Sequence, residues 1–432
     1  MKTLRFIDLF AGMGGFRLGF EQAAKEKGFT PKCVFSSEIK PYAIDVYKAN
    51  FNNENVSGDI TKIPSSDIPD FDILLGGFPC QAFSNAGKRQ GFLDTRGTLF
   101  FEVERILRDK KPKGFILENV EGLVKHDLQN KSDEIGQTLS TILASLDALG
   151  YLVTWAVLDS SKFGIPQARK RIFITGSLKA KVDLSYFNEK SSILGDILEI
   201  GKPTLTGDFI EALLSKYSLE ELYGKSVKDK RGGVNNIHSW DIELKGAVSK
   251  EQSDLLNKIM RARRNKKWAK LKGIKWMDGM PLTISEISSF YPHKDLNALL
   301  DDLCAKKYLK LEHPKDEVSF VGEDGKIRTK REYRTDLEKG YNIVAGKLSY
   351  EINKILDPKD ITPTLVATDL DRIVVPDNKG LRMLTPIEKK RLFGFPDDFS
   401  MEIKQKDIFD LFGNTVAVPV VKAVSLRLLD SI

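Results

Sequence analysis

Residues 76–92 read GGFPCQAFSNAGKRQGF and follow the apolar run Phe71-Asp72-Ile73-Leu74-Leu75. The length of that run and the glycines bounding it predict a buried parallel strand. The Gly76-Gly77 pair and Pro79 then predict a sharp strand end, with Cys80 at the carboxyl edge of a sheet. In open α/β sheets that edge is where ligands bind. A cysteine beside apolar residues is ordinarily a small core hydrophobe. Cys80, however, sits in a Gly/Pro turn, with Gln81, Ser84 and Asn85 after it and Lys88 and Arg89 in the tail. A thiol so placed is also a candidate nucleophile, because a thiolate is strongly nucleophilic once its surroundings lower its pKa. The stretch alone leaves both roles open.

Upstream, Leu4–Leu9 predicts a first strand, Phe10-Ala11-Gly12-Met13-Gly14-Gly15 a glycine turn, and Phe16 the start of a helix. Such a turn lets a ligand approach the backbone and meet a helix N-terminus. The third glycine of the dinucleotide fingerprint would fall at Arg17, which argues against a nicotinamide or flavin and leaves other nucleoside ligands open. A second strand, Lys32–Ser37, ends at Glu38, placed either to bind ribose hydroxyls or simply to meet solvent. Asp59 in Gly58-Asp59-Ile60 faces a ligand amino group or closes a turn.

Downstream, Thr95–Thr98 leads into a helix to about Arg108, and a strand over Gly114–Leu117 ends in Glu118-Asn119-Val120. A helix from about Asp133 to Leu149 precedes strands Leu152–Asp159 and Ile172–Thr175. Between those strands Arg169 and Arg171 flank Lys170, so on an extended segment the two arginines share a face. Strand alternating with helix over residues 1–177 predicts a doubly wound, mostly parallel α/β sheet. A thiol and a carboxylate would then occupy one sheet edge.

The chain has 432 residues, enough for two domains with real cores. No run of about 18 apolar residues occurs, so no transmembrane helix is expected. The start MKTLRFIDLFAGMGG is not expected to be a signal peptide, because Asp8 interrupts its apolar run and no small-residue cleavage site follows. Cys33, Cys80 and Cys304 lie far apart, which argues against a disulfide framework or zinc site and fits a reducing cytoplasm. The four histidines are scattered, so no metal is expected. The net charge of +7 favours a polyanionic partner.

From about Leu184 to Pro363 the βα rhythm is lost. Leu255–Trp276 holds nine Lys/Arg, including Arg261, Arg263, Arg264, Lys266 and Lys267, and no Asp or Glu, with Trp268 and Trp276 interleaved. A charge run is usually a solvated face; the lack of acids and the tryptophans bring nucleic-acid contact into view. Thr283–Leu311 predicts a helix, a turn and an amphipathic helix, a helix-turn-helix-like insert around 281–322. Glu323–Lys326 predicts a hairpin turn. Thr385 then caps a helix with Pro386 at its first position, and Gly413–Pro419 leads to a final amphipathic helix.

Together these blocks resemble the cytosine-5 DNA methyltransferases, in particular the bacterial modification enzymes of restriction systems. The resemblance runs in that family's order from DLFAGMGGFRLGF through Glu38, GDI, GGFPCQAFS, ENV and QARKR to RMLTPIEKKRLFGFP and GNTVAVP. It implies a Rossmann-like S-adenosylmethionine-dependent fold, with 1–183 plus 410–432 catalytic and 184–409 a smaller, mixed target-recognition domain. Phe10, Ala11, Gly12, Gly14, Gly15, Glu38, Ile39, Asp59, Ile60, Pro79, Leu99 and Asn414 would hold S-adenosylmethionine, Phe10 against the adenine and Glu38 on the ribose. Cys80, with Gln81 beside it, would attack carbon 6 of a flipped cytosine. Glu118 would hydrogen-bond the ring nitrogen and exocyclic amine, with Arg169 on the carbonyl oxygen and the Cys80 loop, and Arg171 nearby. Ser84, Lys88, Arg89, Thr364 and the basic run would contact double-stranded DNA. The resemblance further implies a monomer beside a cognate restriction endonuclease. An RNA cytosine-5 methyltransferase, or an inactive DNA-binding regulator, would carry the same motifs.

Overall fold

The computed structural model describes residues 2–52, 55–79, 99–130, 132–229, 233–275, 277–322, 327–344, 352–366 and 370–432. Strands β1 (Lys2–Leu9), β2 (Phe29–Ser37), β3 (Ile73–Gly77), β4 (Gly114–Val120), β5 (Leu152–Asp159) and β6 (Lys170–Ser177) form one sheet in the order β2-β1-β3-β4-β6-β5. Neighbours are parallel from β2 to β4, and β6 runs antiparallel to both β4 and β5. The sheet is therefore mostly parallel, and α1 (Gly15–Glu26), α2 (Pro41–Asn50), α3 (Leu99–Lys110) and α4 (Gln137–Ala148) connect its strands.

Alternation along the strands supplies two cores. Ile7, Leu74, Phe115, Leu117 and Ile174 pack with Phe100, Ile106, Leu139 and Ile142 of α3 and α4. The intervening Phe6, Ile73, Leu75, Ile116 and Phe173 pack with Phe16 and Phe20 of α1 and Val421, Val424 and Leu428 of the final helix, Val418–Asp430. Full burial of each such side chain contributes about 1.5–3 kcal/mol, so covering both faces is what secures a sheet of this composition. The helical stretch Gln405–Asp430 is apolar and long enough to pass for a membrane span. It is broken at Thr415–Ala417 and largely buried, as a core helix pair is.

Several expected boundaries move, two of them at the carboxyl edge of the parallel strands. Gly76 and Gly77 continue β3 instead of ending it, pairing with Leu117 and Glu118. Glu118 lies inside β4, because the antiparallel partner β6 extends the ladder to Val120↔Arg171.

Contacts divide the chain into one compact unit of Met1–Glu199, Asp357–Asp371 and Leu384–Ile432, and another of Ile200–Leu356 and Arg372–Met383. This differs from a division at 183/184 and 409/410. Val182 and Leu184 belong to the sheet's core. Buried Gln167 donates from Nε2 to the Leu392 carbonyl at 2.8 Å, and Phe395 and Phe399 stack near Phe51. These contacts hold 184–199 and 384–409 in the first unit.

The second unit contains a five-stranded sheet of short strands. Its other core gathers Leu255, Ile259 and Trp268 with Leu300, Leu303 and Tyr341. Helices Ile284–Ser288 and Leu296–Ala305 precede strand Leu309–Glu312, which pairs antiparallel with Gly340–Ile343. Strands Lys315–Val321 and Ile327–Tyr333 pair antiparallel, exposed along most of their length. The turn expected at Glu323–Lys326 and Trp276 lie outside the described residues.

Candidate active site

The carboxyl ends of β1, β3 and β4 share one edge of the sheet, in register through Leu9↔Gly76 and Gly77↔Glu118. Cys80, Gln81, Ser84, Lys88 and Arg89 lie outside the described residues, which resume at Leu99 at the start of α3. Phe78 and Pro79 fix where that segment departs. Phe78 is buried, and its carbonyl accepts from Asn119 Nδ2 at 3.1 Å. Asn119 thus ties the exit of β3 to β4, a role whose only mark in the sequence is adjacency to Glu118.

Glu118 is almost wholly buried, and Arg171 Nε lies 3.1 Å from its Oε1. Burial pushes its carboxyl above the ordinary carboxylate range, and the Arg171 and Arg169 cations oppose the shift without cancelling it. The two arginines separate in role. Arg171 faces Glu118, whereas Arg169 is 3% exposed and donates to the carbonyls of Leu365, Gly413 and Thr415, its guanidinium 5.5 Å over the Phe393 ring. A cavity of about 280 Å³ opens beside Arg171, lined also by Val120, Glu121, Asp159, Lys170 and Thr364, near the lower end of small-ligand sites at about 300 Å³. Thr364 Oγ1 donates to the Ala168 carbonyl at 2.6 Å.

At the end of β1 the chain turns back on itself, with φ of +56° at Phe10, +54° at Gly12 and +89° at Gly14. A Cβ on Gly14 would lie 2.2 Å from the Phe51 ring, so both conformation and space require glycine there. Glu38 holds this loop: its Oε2 accepts from Gly12 N at 2.8 Å, and its Oε1 from the amides of Ile39 and Lys40. Ile39 is exposed beside it, an apolar surface at the loop. Asp59 caps a short 3-10 turn, Ile60–Lys62, through Thr61, and Ile60 is buried. Asn414 is exposed at the end of helix Gln405–Asn414. A backbone loop with open approach, a carboxylate, an exposed apolar side chain and an amide suit a nucleoside linked to an amino acid.

The basic run divides. Arg261, Lys266 and Lys267 are exposed. Arg263 is 5% exposed and donates to Asn342 Oδ1 at 2.7 Å, and Arg264 pairs with Asp278. Among the described residues no group of three or more His, Cys, Asp or Glu could hold a metal ion.

The profile of the C-5 cytosine-specific DNA methylases matches residues 4–429. The chain is 61% identical to the Type II methyltransferase M.NlaIV of Neisseria lactamica and 60% identical to M.NgoBV of Neisseria gonorrhoeae, each over all of both chains. It is 41% identical to M.BanI of Aneurinibacillus aneurinilyticus, over 98% of this chain and 94% of that one. Among solved structures, the Entamoeba histolytica methyltransferase EhMeth superposes with a TM-score of 0.53 at 16% identity, over 100% of this chain and 99% of that one. The S. pombe Dnmt2 methyltransferase superposes at 0.51 and 15%, over 99% of each. These two likenesses speak to the fold alone.

Proposed function

The chain belongs to the C-5 cytosine-specific DNA methylases, and from that premise we propose that it uses S-adenosylmethionine to methylate carbon 5 of one cytosine in a specific duplex site. It is a DNA methyltransferase of the restriction-modification type. The observation that carries the mechanism is the buried Glu118, paired with Arg171 on the strand beside the one that leads into Pro79-Cys80.

Cytosine carbon 5 is a poor nucleophile. Addition of the Cys80 thiolate to carbon 6 forms a C–S bond and makes carbon 5 enamine-like, splitting one hard step into easier ones. The Phe10–Gly15 loop, Glu38 and Asn414 would hold S-adenosylmethionine, which would supply an electrophilic methyl group and leave as S-adenosylhomocysteine. Glu118 donates its proton toward the ring nitrogen and accepts from the exocyclic amine, and burial keeps that proton in place. Arg171 stabilises the charge that builds on the ring. Arg169 fixes the segments around Leu365 and Gly413 from behind. Loss of the carbon 5 proton to water, departure of Cys80 as thiolate and return of the ring-nitrogen proton to Glu118 release the product. Flipping the base costs a few kcal/mol, offset by pocket contacts. The exposed Arg261, Lys266 and Lys267 neutralise phosphates. We further infer a cytoplasmic monomer acting beside a restriction endonuclease.

Transfer of labelled methyl to unmethylated duplex DNA, to RNA, and to DNA by Cys80→Ala tests this. Label in DNA that vanishes with the variant, while DNA binding persists, is expected. Undiminished turnover by Cys80→Ala would remove it as nucleophile. Label only in RNA would make the chain an RNA enzyme, and specific DNA binding without any label a regulator.

A further inference from the structure

We propose that Asp410 is a positioning residue of the cofactor site, its carboxylate joining the segment after Glu38 to the helix end that carries Asn414. The proposal rests on the reading that the Phe10–Gly15 loop, Glu38 and Asn414 bind S-adenosylmethionine. None of Lys40, Tyr42 and Asp410 lies in the blocks that carry the family likeness.

Lys40 Nζ lies 2.5 Å from Asp410 Oδ2, and the Tyr42 hydroxyl donates to the same oxygen at 2.8 Å. Asn414 Nδ2 donates to Asp410 Oδ1 at 3.1 Å and to its carbonyl at 2.8 Å. One aspartate thereby receives an ammonium, a phenol and an amide, from segments 370 positions apart. Glu38 already accepts from the amides of Gly12 and Lys40. A Cβ on Gly15 would lie 3.0 Å from Thr415 Oγ1, so the start of α1 meets the residue after Asn414. The contacts close a circuit: Gly12, Glu38, Lys40, Asp410, Asn414, Thr415 and back to Gly15. Gly12, Glu38 and Asn414, three of the groups assigned to the cofactor, sit on that circuit.

The geometry explains why an ion pair is used here. With its amide hydrogens engaged by Asp410, Asn414 presents its Oδ1 in a fixed direction, as an acceptor suited to an ammonium group. Without the Asp410 carboxylate the Asn414 amide keeps only its bond to the main-chain carbonyl of residue 410 and residues 38–42 lose an anchor, so ligand binding must supply more of the ordering. The side chains of Lys40 and Asp410 are 38% and 35% exposed. Exposed pairs add only about 0–1 kcal/mol to folding stability, so the consequence is local to the site.

The test uses the full chain on unmethylated duplex DNA, with Asp410→Asn and Lys40→Met. Each single variant is expected to raise the KM for S-adenosylmethionine about tenfold, with kcat at saturation changed less than about twofold and the thermal midpoint within about 2 °C. An unchanged KM, a fall confined to kcat, or a KM rise that tracks a falling thermal midpoint would overturn the proposal. If the unaltered chain bound no S-adenosylmethionine in equilibrium dialysis, the functional reading would fall and this proposal with it. Unaltered binding by the variants would overturn the proposal alone.

Discussion

Glu118 has its side chain 12% exposed, and its charged partner Arg171 approaches from one side. Desolvation exceeds what the two arginines return, so the folded pKa is raised. A raised folded pKa means that the group's contribution to stability is complete below the unfolded pKa of about 4.3 and is lost as pH rises through the folded value. Glu118→Gln should therefore flatten that pH-dependent loss of unfolding free energy, checked by urea titrations across acidic to neutral pH. The same variant should lower kcat by roughly 10²–10⁴-fold, the usual worth of a positioned proton donor, and remove the alkaline limb of the pH–rate profile. At this scale the sequence names candidates by residue type, and of these the structure describes the carboxylate and the two arginines. The partition between the arginines was not legible, because alternation in an extended segment placed both on one face without saying that Arg169 is enclosed by three carbonyls and an aromatic ring.

Helix α1 and the final helix, Val418–Asp430, meet through Gly19, where a Cβ would lie 2.8 Å from the Val418 carbonyl and from Val421 Cβ. Glycine costs about 1 kcal/mol in a helix interior relative to alanine, so propensity alone favours Gly19→Ala. Overpacking a buried contact costs about 1–3 kcal/mol, and against a backbone carbonyl neither side has a rotamer to yield. The prediction is net destabilisation of up to about 2 kcal/mol, seen as a lower urea midpoint at unchanged slope. Elements with local signals were foreseeable: Thr385 caps its helix in a box with Glu388, and Pro386 opens it. The extension of β3 through Gly76-Gly77 was not, because glycine's weak local preference yields to ladder partners on both sides.

Over the whole molecule, the cations of 255–276 fall into two environments that composition merges. Arg261, Lys266 and Lys267 are exposed, whereas Arg263 is interior and bonded to Asn342. The triple variant Arg261→Ala/Lys266→Ala/Lys267→Ala should make the dependence of log K on log salt less steep by about 2.7, at roughly 0.9 per phosphate contact. Arg263→Ala should leave that slope alone and cost about 1–3 kcal/mol, because it strips a buried hydrogen bond. Filter-binding across a salt series and denaturant melts separate the two.

The order of glycine turns, apolar runs and reactive side chains determined the doubly wound sheet, the edge at which its chemistry gathers and the family to which the chain belongs, since each depends on short-range pattern. Only the tertiary structure decided that Arg171 rather than Arg169 faces Glu118, that 184–199 and 384–409 pack with the sheet, and that Asp410 meets Lys40 across 370 positions. Those outcomes turn on which distant surfaces share a core and which charges are thereby desolvated, and no local spacing encodes that.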